Sequence, residues 1–218
     1  MPSSFFHYSF VSLLVAVTLT FAVPFVTAQP PSAETVVASG SFEGKLYTNR
    51  ALGFSILGPG GWEFYSSERN MAIVAKNREI ASRSSNSAVR NSAANTQILF
   101  QAIPPKLDGM DKSARFSCGI ERLDKPASSD QFLEANKRLV LTGVGVKLTK
   151  DMYRVVLGGA NFSAFEVESV ISGASFRQRY IATVRKNIAL FFVIASFDER
   201  QDPIIDHSLQ TIKFVRSF

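Results

Sequence analysis

The stretch Ile188 to Phe197, IALFFVIASF, carries apolar side chains at almost every position and shows no alternation with polar ones. Successive side chains of a β-strand point to opposite faces, so a strand with one wet face alternates, and a run that is apolar at both parities must be covered on both sides. The polar tripeptide Arg185-Lys186-Asn187 just before it supplies a tight turn from a preceding strand. A chain built around such a segment needs a sheet with this strand at its centre and helices packed on both faces.

The remaining sequence supplies the neighbours. Phe54 to Leu57, Trp62 to Tyr65, Thr96 to Ile103, Ala114 to Leu123, Lys147 to Leu157, Asn161 to Val170 and Ser175 to Val184 read as strands, with Pro59-Gly60-Gly61 and Gly158-Gly159 as turns. Pro126 to Gly143 reads as the clearest helix. Ser128 and Gln131 form a capping box, Phe132, Ala135, Leu139 and Val140 make an apolar stripe, and Gly143 stands at the stop. Glu68 to Ala81 behind Ser66 and Ser67 reads as a second helix. Asp202-Pro203 opens a closing helix with Ile205, Ser208, Leu209 and Ile212 on one face. The polar segment 83–95 reads as a mobile loop, and Trp62, the only tryptophan, as a buried packing anchor beside the glycine turn.

The N-terminal residues MPSSFFHYSFVSLLVAVTLTFAVPFVTAQP contain no Asp, Glu, Lys or Arg. The apolar run from Phe10 to Val23 is shorter than the roughly 20 residues of a membrane span and fits the core of an export signal, with Val26-Thr27-Ala28 as the cleavage site. The sequence therefore divides into a signal peptide over 1–28, a flexible linker over 29–41 and one α+β domain over 42–218. The expected address is periplasmic or extracellular in a bacterium, with cleavage after Ala28 and no transmembrane segment afterwards. A retained anchor is the alternative, because the usual positive leader is missing. The single cysteine, Cys118, excludes an intramolecular disulfide and reads as a buried strand residue.

Tyr47, Asn49, the run Leu52-Gly53-Phe54-Ser55, Pro59 and Trp62 are followed in order by the strands around Gly158-Gly159 and the Asp-Pro closing helix. Together they resemble exported bacterial members of the PsbP-like superfamily, the PsbP/DcrB-type domains. The resemblance implies a single antiparallel sheet sandwiched between helices (α-β-α) and a role in binding rather than catalysis. Its members hold unrelated partners, so the fold does not choose the function. No metal or chloride site of the family matches residue by residue, and no functional position is carried over.

The residues themselves offer little catalytic chemistry. His207 is the one histidine outside the N-terminal segment, and it falls on the polar side of the closing helix. One histidine and one cysteine cannot furnish a usual zinc set, and Asp198-Glu199-Arg200-Gln201-Asp202 lacks the glycine and spacing of a calcium loop. Gly143-Val144-Gly145-Val146-Lys147 runs from helix to strand, the wrong direction for a phosphate loop, and no Gly-x-Ser-x-Gly elbow occurs. No cofactor, metal or catalytic residue is therefore expected. The net charge of +6 is densest at Lys76, Arg78, Arg83 and Arg90, which face only Glu79 and form a candidate interaction surface for acidic partners. Nucleic acid is excluded by the lack of aromatic and basic interleaving. The leading expectation is a non-catalytic envelope accessory protein that binds another envelope protein. The alternatives are a carrier of a small apolar ligand between sheet and helices, and a small envelope enzyme using Cys118 with His207.

Overall fold

A computed structural model describes residues 31–105, 114–171 and 174–215. The signal segment and its cleavage site after Ala28 lie outside them. In chain order the elements are α1 (Ala33–Ala38), β1 (Gly40–Glu43), β2 (Leu46–Asn49), β3 (Phe54–Leu57), β4 (Glu63–Phe64), α2 (Ser67–Ser82), α3 (Ser87–Asn95), β5 (Thr96–Ile103), β6 (Arg115–Arg122) and α4 (Ser129–Val140). Then follow β7 (Val146–Leu157), β8 (Ala160–Ile171), β9 (Ala174–Arg185), β10 (Ile188–Ser196), α5 (Asp202–Gln210) and β11 (Lys213–Phe214). A seven-stranded sheet runs β4-β5-β6-β10-β9-β8-β7, and a four-stranded sheet runs β1-β2-β3-β11. All the pairings are antiparallel.

The doubly apolar segment is β10, fourth of the seven strands, with Phe192 opposite Cys118 on β6 and Ile181 on β9. On one face Leu190, Phe192 and Ile194 join Phe100, Phe116, Cys118, Ile120, Phe162 and Ile181 in the main core. Phe192 stacks on Phe116 with ring centroids 5.8 Å apart and leans on Phe162 at 6.2 Å. Burying such a ring fully stabilises the fold by about 1.5–3 kcal/mol. The four-stranded sheet, α1 and α5 cover this face through Tyr47, Phe54, Ile56, Val36, Ile205 and Leu209. On the opposite face Ala189, Phe191, Phe165, Val167 and Ala182 pack under Phe132 and Leu133 of α4, and the Phe165 and Tyr180 rings stack across β8 and β9 at 4.7 Å. Gly119 is required there, because a Cβ would lie 2.5 Å from the Phe191 ring.

The α+β class, the antiparallel sheet and the helices on both of its faces agree with the sequence, as do the strands and the capping box, in which both Ser128 and Gln131 bonds form. Several details differ. The smaller sheet was not expected. It forms because Pro59-Gly60-Gly61 carries the chain from β3 in one sheet to β4 in the other instead of closing a hairpin. Gly58 lets the Phe64 ring close over that crossing, and Trp62 is buried beside it with 2% exposure. The 29–41 segment is not a linker throughout: α1 and the start of β1 lie in it, with Val36 in the core. Asn49 explains the capture. Its side-chain amide donates to the Val36 carbonyl at 2.8 Å, while its Oδ1 accepts from Leu52 N at 3.0 Å and Ser39 Oγ at 2.8 Å. In α4 the inner face carries Phe132, Leu133 and Val140, so Phe132 and Val140 of the expected stripe face the core, while Ala135 is exposed and Leu133 takes its part. The side-chain cap near the last helix is Asp198 on the short 3-10 turn Glu199–Gln201, while Asp202 is the first residue of α5.

The segment 83–95 is largely helix rather than loop. Asn86 caps α3, which buries no residue of its own. Arg78 on α2 holds its end by donating to the carbonyls of Ala93 at 3.2 Å, Ala94 at 3.2 Å and Thr96 at 3.3 Å. Ser92 Oγ donates to Glu121 Oε2 at 2.8 Å, tying α3 to β6. Burial pushes the Glu121 carboxyl above its usual range, partly offset by the hydroxyls of Ser92 and Thr96. A carboxyl raised in the folded state favours folding when protonated, and that contribution is lost as pH rises through the folded value. Glu121→Gln should therefore raise the urea midpoint at pH 7, with the gain shrinking as pH falls through the raised folded value and gone below about pH 4.3, the ordinary glutamate range. A second expected outcome concerns the β9–β10 turn, where Lys186 has φ 49° and Asn187 φ 61°. Lys186→Gly should relieve about 1 kcal/mol of left-handed strain, read as a higher denaturation midpoint.

Candidate functional site

Beyond the edge of the main core, the inward parity of the large sheet changes from apolar to charged. On β8, Phe162 and Ala164 are followed on the same face by Glu166 and Glu168; on β9, Ile181 is preceded by Arg179 and Arg177. The register sets Glu166 opposite Arg179, Glu168 opposite Arg177 and Lys150 of β7 opposite Glu166. Helix α5 completes the arrangement, since Asp202 and Asp206 are one helical turn apart and match arginines two residues apart on a strand. Arg179 meets Asp206 at 2.7 Å, and Arg177 pairs with Asp202. The Tyr153 hydroxyl donates to Glu166 Oε1 at 2.7 Å, and Lys150 Nζ sits 3.9 Å from the centre of the Tyr153 ring. Burial, reinforced by the Glu166 carboxylate, pushes the Tyr153 phenol well above its ordinary range and keeps it a donor.

These residues line two joined hollows. The outer one encloses about 480 Å³ between Thr149, Lys150, Glu168, Phe176, Phe197 and Asp198, and the inner one about 150 Å³ between Glu166, Arg177, Arg179, Ser196, Asp202 and Asp206. The Arg200 guanidinium lowers the Asp198 carboxyl at the rim. The cleft is thus a preformed lattice of alternating charges with one aromatic wall, made by the stacked rings of Phe176 and Phe197 at 5.1 Å. It suits polar groups of mixed charge. Among the described residues no cluster of His, Cys, Asp and Glu is placed to hold a metal ion.

The cleft residues were missed in the sequence because each is an ordinary surface type. The available signal was Glu-x-Glu at 166–168 against Arg-x-Arg at 177–179, interrupting the apolar parity of adjacent strands. Of the residues singled out in the sequence, Lys76 and Arg83 flank Glu79 at 2.9 and 2.5 Å, and Arg90 donates to the Ser84 carbonyl at 2.6 Å. Arg78 is engaged with the α3 carbonyls, so this stretch of the surface is less free than its composition indicates. Cys118 and His207 are separated: the thiol is in the core with no exposure, while the imidazole is on the outer side of α5. Burial alone pushes the thiol far above its ordinary range, the opposite of an activated nucleophile. Cys118 should resist a disulfide reagent such as DTNB in the native protein and react fully in denaturant. Stoichiometric reaction of the folded protein within seconds would contradict this placement.

No family model matches the chain, and no curated protein matches it. Solved structures do. LpqN of Mycobacterium tuberculosis, involved in cell envelope biogenesis, superposes with a TM-score of 0.53 at 8% identity over 75% of this chain and 83% of its own. The cyanobacterial PsbP protein of Synechocystis sp. PCC 6803, CyanoP, gives 0.47 at 12% identity over 80% of this chain and 98% of its own. PA94 of Pseudomonas aeruginosa, a putative regulator of unknown function, gives 0.46 at 13% identity over 54% of this chain and 83% of its own. At such identities the likeness is one of fold, and the chain shares the α+β fold of LpqN.

Proposed function

We propose that this chain is an exported, non-catalytic accessory protein of a bacterial envelope, and that it holds another envelope protein through the charged cleft at the β7–β10 end. The observation that carries the reading is the lattice itself. Four inner residues, Arg177, Arg179, Asp202 and Asp206, are already matched in two pairs on rigid elements, so a partner meets fixed charges without ordering them first. Their mutual pairing fits recognition better than proton transfer, which needs a group poised to change its charge. LpqN, which shares the fold, is involved in envelope biogenesis, and the uncharged N-terminal run supports export. No helix among the described residues is long and apolar enough to cross a membrane.

A carrier of a small apolar molecule is the second reading, favoured by a groove of about 350 Å³ lined by Val74, Val89, Ala93, Ile98, Leu139 and Val140. It lies between the α2–α3 pair and α4, under a helix with no buried residue. Native mass spectrometry of the purified protein distinguishes it, because a carrier retains a bound apolar species.

The main reading is tested with a photocrosslinking residue placed at Thr149 or Glu199, both exposed at the cleft rim, in cells carrying the native envelope. A discrete protein adduct is expected from both sites and none from Met71, exposed on α2. Adducts of equal yield from Met71, or none from either rim site, would overturn the assignment.

A further inference from the structure

Exposed cations from separate segments of the chain gather at the end of the large sheet away from the cleft. Arg122 ends β6, Lys125 follows in the loop to α4, and Lys186 tips the β9–β10 turn. The ladder joins them: Arg122 is opposite Ile188, and Leu123 N donates to Asn187 O at 2.8 Å. All three cations are exposed. The α2–α3 hairpin reaches the same end, because Arg78 holds the carbonyl of Thr96, the first residue of β5, so that Arg83 lies beyond the sheet. The acids there are Glu34, Asp124 and the half-buried Glu121, with Glu79 shared between Lys76 and Arg83. Lys186 is held in a left-handed conformation that glycine would adopt freely, so a charge is kept at the tip of this turn at a conformational cost.

The chain enters the domain at this end as well. Helix α1 begins at Ala33, and the Glu34 carboxylate beside it is within electrostatic reach of both Arg122 and Arg78. The uncharged apolar run ends at Val23, and the residues from Pro24 to Ser32 span at most about 30 Å when fully extended. While that run is held in a bilayer, the cations of this end are tethered close to the headgroups. After cleavage at Ala28 the cations act alone.

We infer that the end bearing Arg122, Lys125 and Lys186 is a docking face for an anionic lipid surface, which leaves the charged cleft at the opposite end turned outward to its partner. The inference rests on export, and it is independent of what the cleft holds. Each cation close to an anionic bilayer contributes about 1 kcal/mol, partly offset by Glu34 and Asp124, so the attachment is weak and salt-sensitive and orients the domain.

The test uses the full chain reconstituted on vesicles of phosphatidylcholine alone or with phosphatidylglycerol, followed by lysine acetylation and mass spectrometry. Anionic lipid should lower labelling of Lys125 and Lys186 several-fold relative to neutral lipid and leave Lys147 and Lys150 unchanged, and salt near 0.5 M should abolish the difference. Arg122→Gln should reduce the protection of both lysines. Equal labelling on the two lipids, or equal protection at Lys147, would overturn the inference. Protection that arises only with native envelope protein, and not with anionic vesicles, would reassign this face to an acidic protein partner. Crosslinking from the cleft rim is a separate readout, so either assignment can fail without the other.

Discussion

The two-sided burial of β10 is the constraint on which the rest of the structure depends. A strand with Phe192 and Leu190 on one side and Ala189 and Phe191 on the other has no face to give to water. It must have β6 and β9 on its two edges and a covering layer above and below. The size of its side chains then dictates those of its neighbours. Phe116 and Phe162 meet Phe192 on one face, while on the other Gly119 makes room for Phe191. Each covering layer also needs a reason to stay: α4 supplies Phe132 and Leu133 to one side, and the small sheet supplies Tyr47, Phe54 and Ile56 to the other.

Asn49 shows how a single polar residue can organise that second layer. It has no exposure, so each of its amide atoms must find a partner. Its donor takes the Val36 carbonyl and the Tyr47 hydroxyl, and its acceptor takes Leu52 N and Ser39 Oγ. Three separate pieces of chain, α1, β2 and the turn before β3, are thereby fixed in one geometry. Removing the amide would leave several of these buried groups unpaired, a larger loss than one hydrogen bond.

What was legible in the sequence follows the same division. Strands and helices with strong periodicity, local caps and turn glycines could be read directly, because Ser128 with Gln131, Gly158-Gly159 and the β10 run each act over a few residues. The small sheet could not, since β3 and β4 are separated by a turn that also suits a hairpin and only tertiary contacts decide. Helix α1 looked like a linker because a single apolar residue, Val36, anchors it with the help of Asn49, thirteen residues away. Helix α3 looked like a loop because its packing is polar, through Arg78 and Glu121, and leaves no apolar stripe. The basic stretch was visible as composition, but its partners were not: Glu79 and the α3 carbonyls occupy charges that the sequence presents as free.

The charged cleft obeys a related logic. Strands β7, β8 and β9 each span twelve residues, longer than the cover over their inner face, so the apolar parity cannot continue to their ends. Where the cover stops, the same parity turns to Glu166 and Glu168 on one strand and Arg177 and Arg179 on the next, which compensate each other across the ladder. Half-exposed pairs of this kind add little net stability, since water screens them and desolvation offsets part of the attraction. Their effect is on registry. Asp202 and Asp206 settle over Arg177 and Arg179, whereas a shift of α5 toward β8 would bring both acids against Glu166 and Glu168. The side chains that fix the last helix in place therefore also form the inner wall of the cleft, so a partner that draws on those arginines competes with the docking of α5.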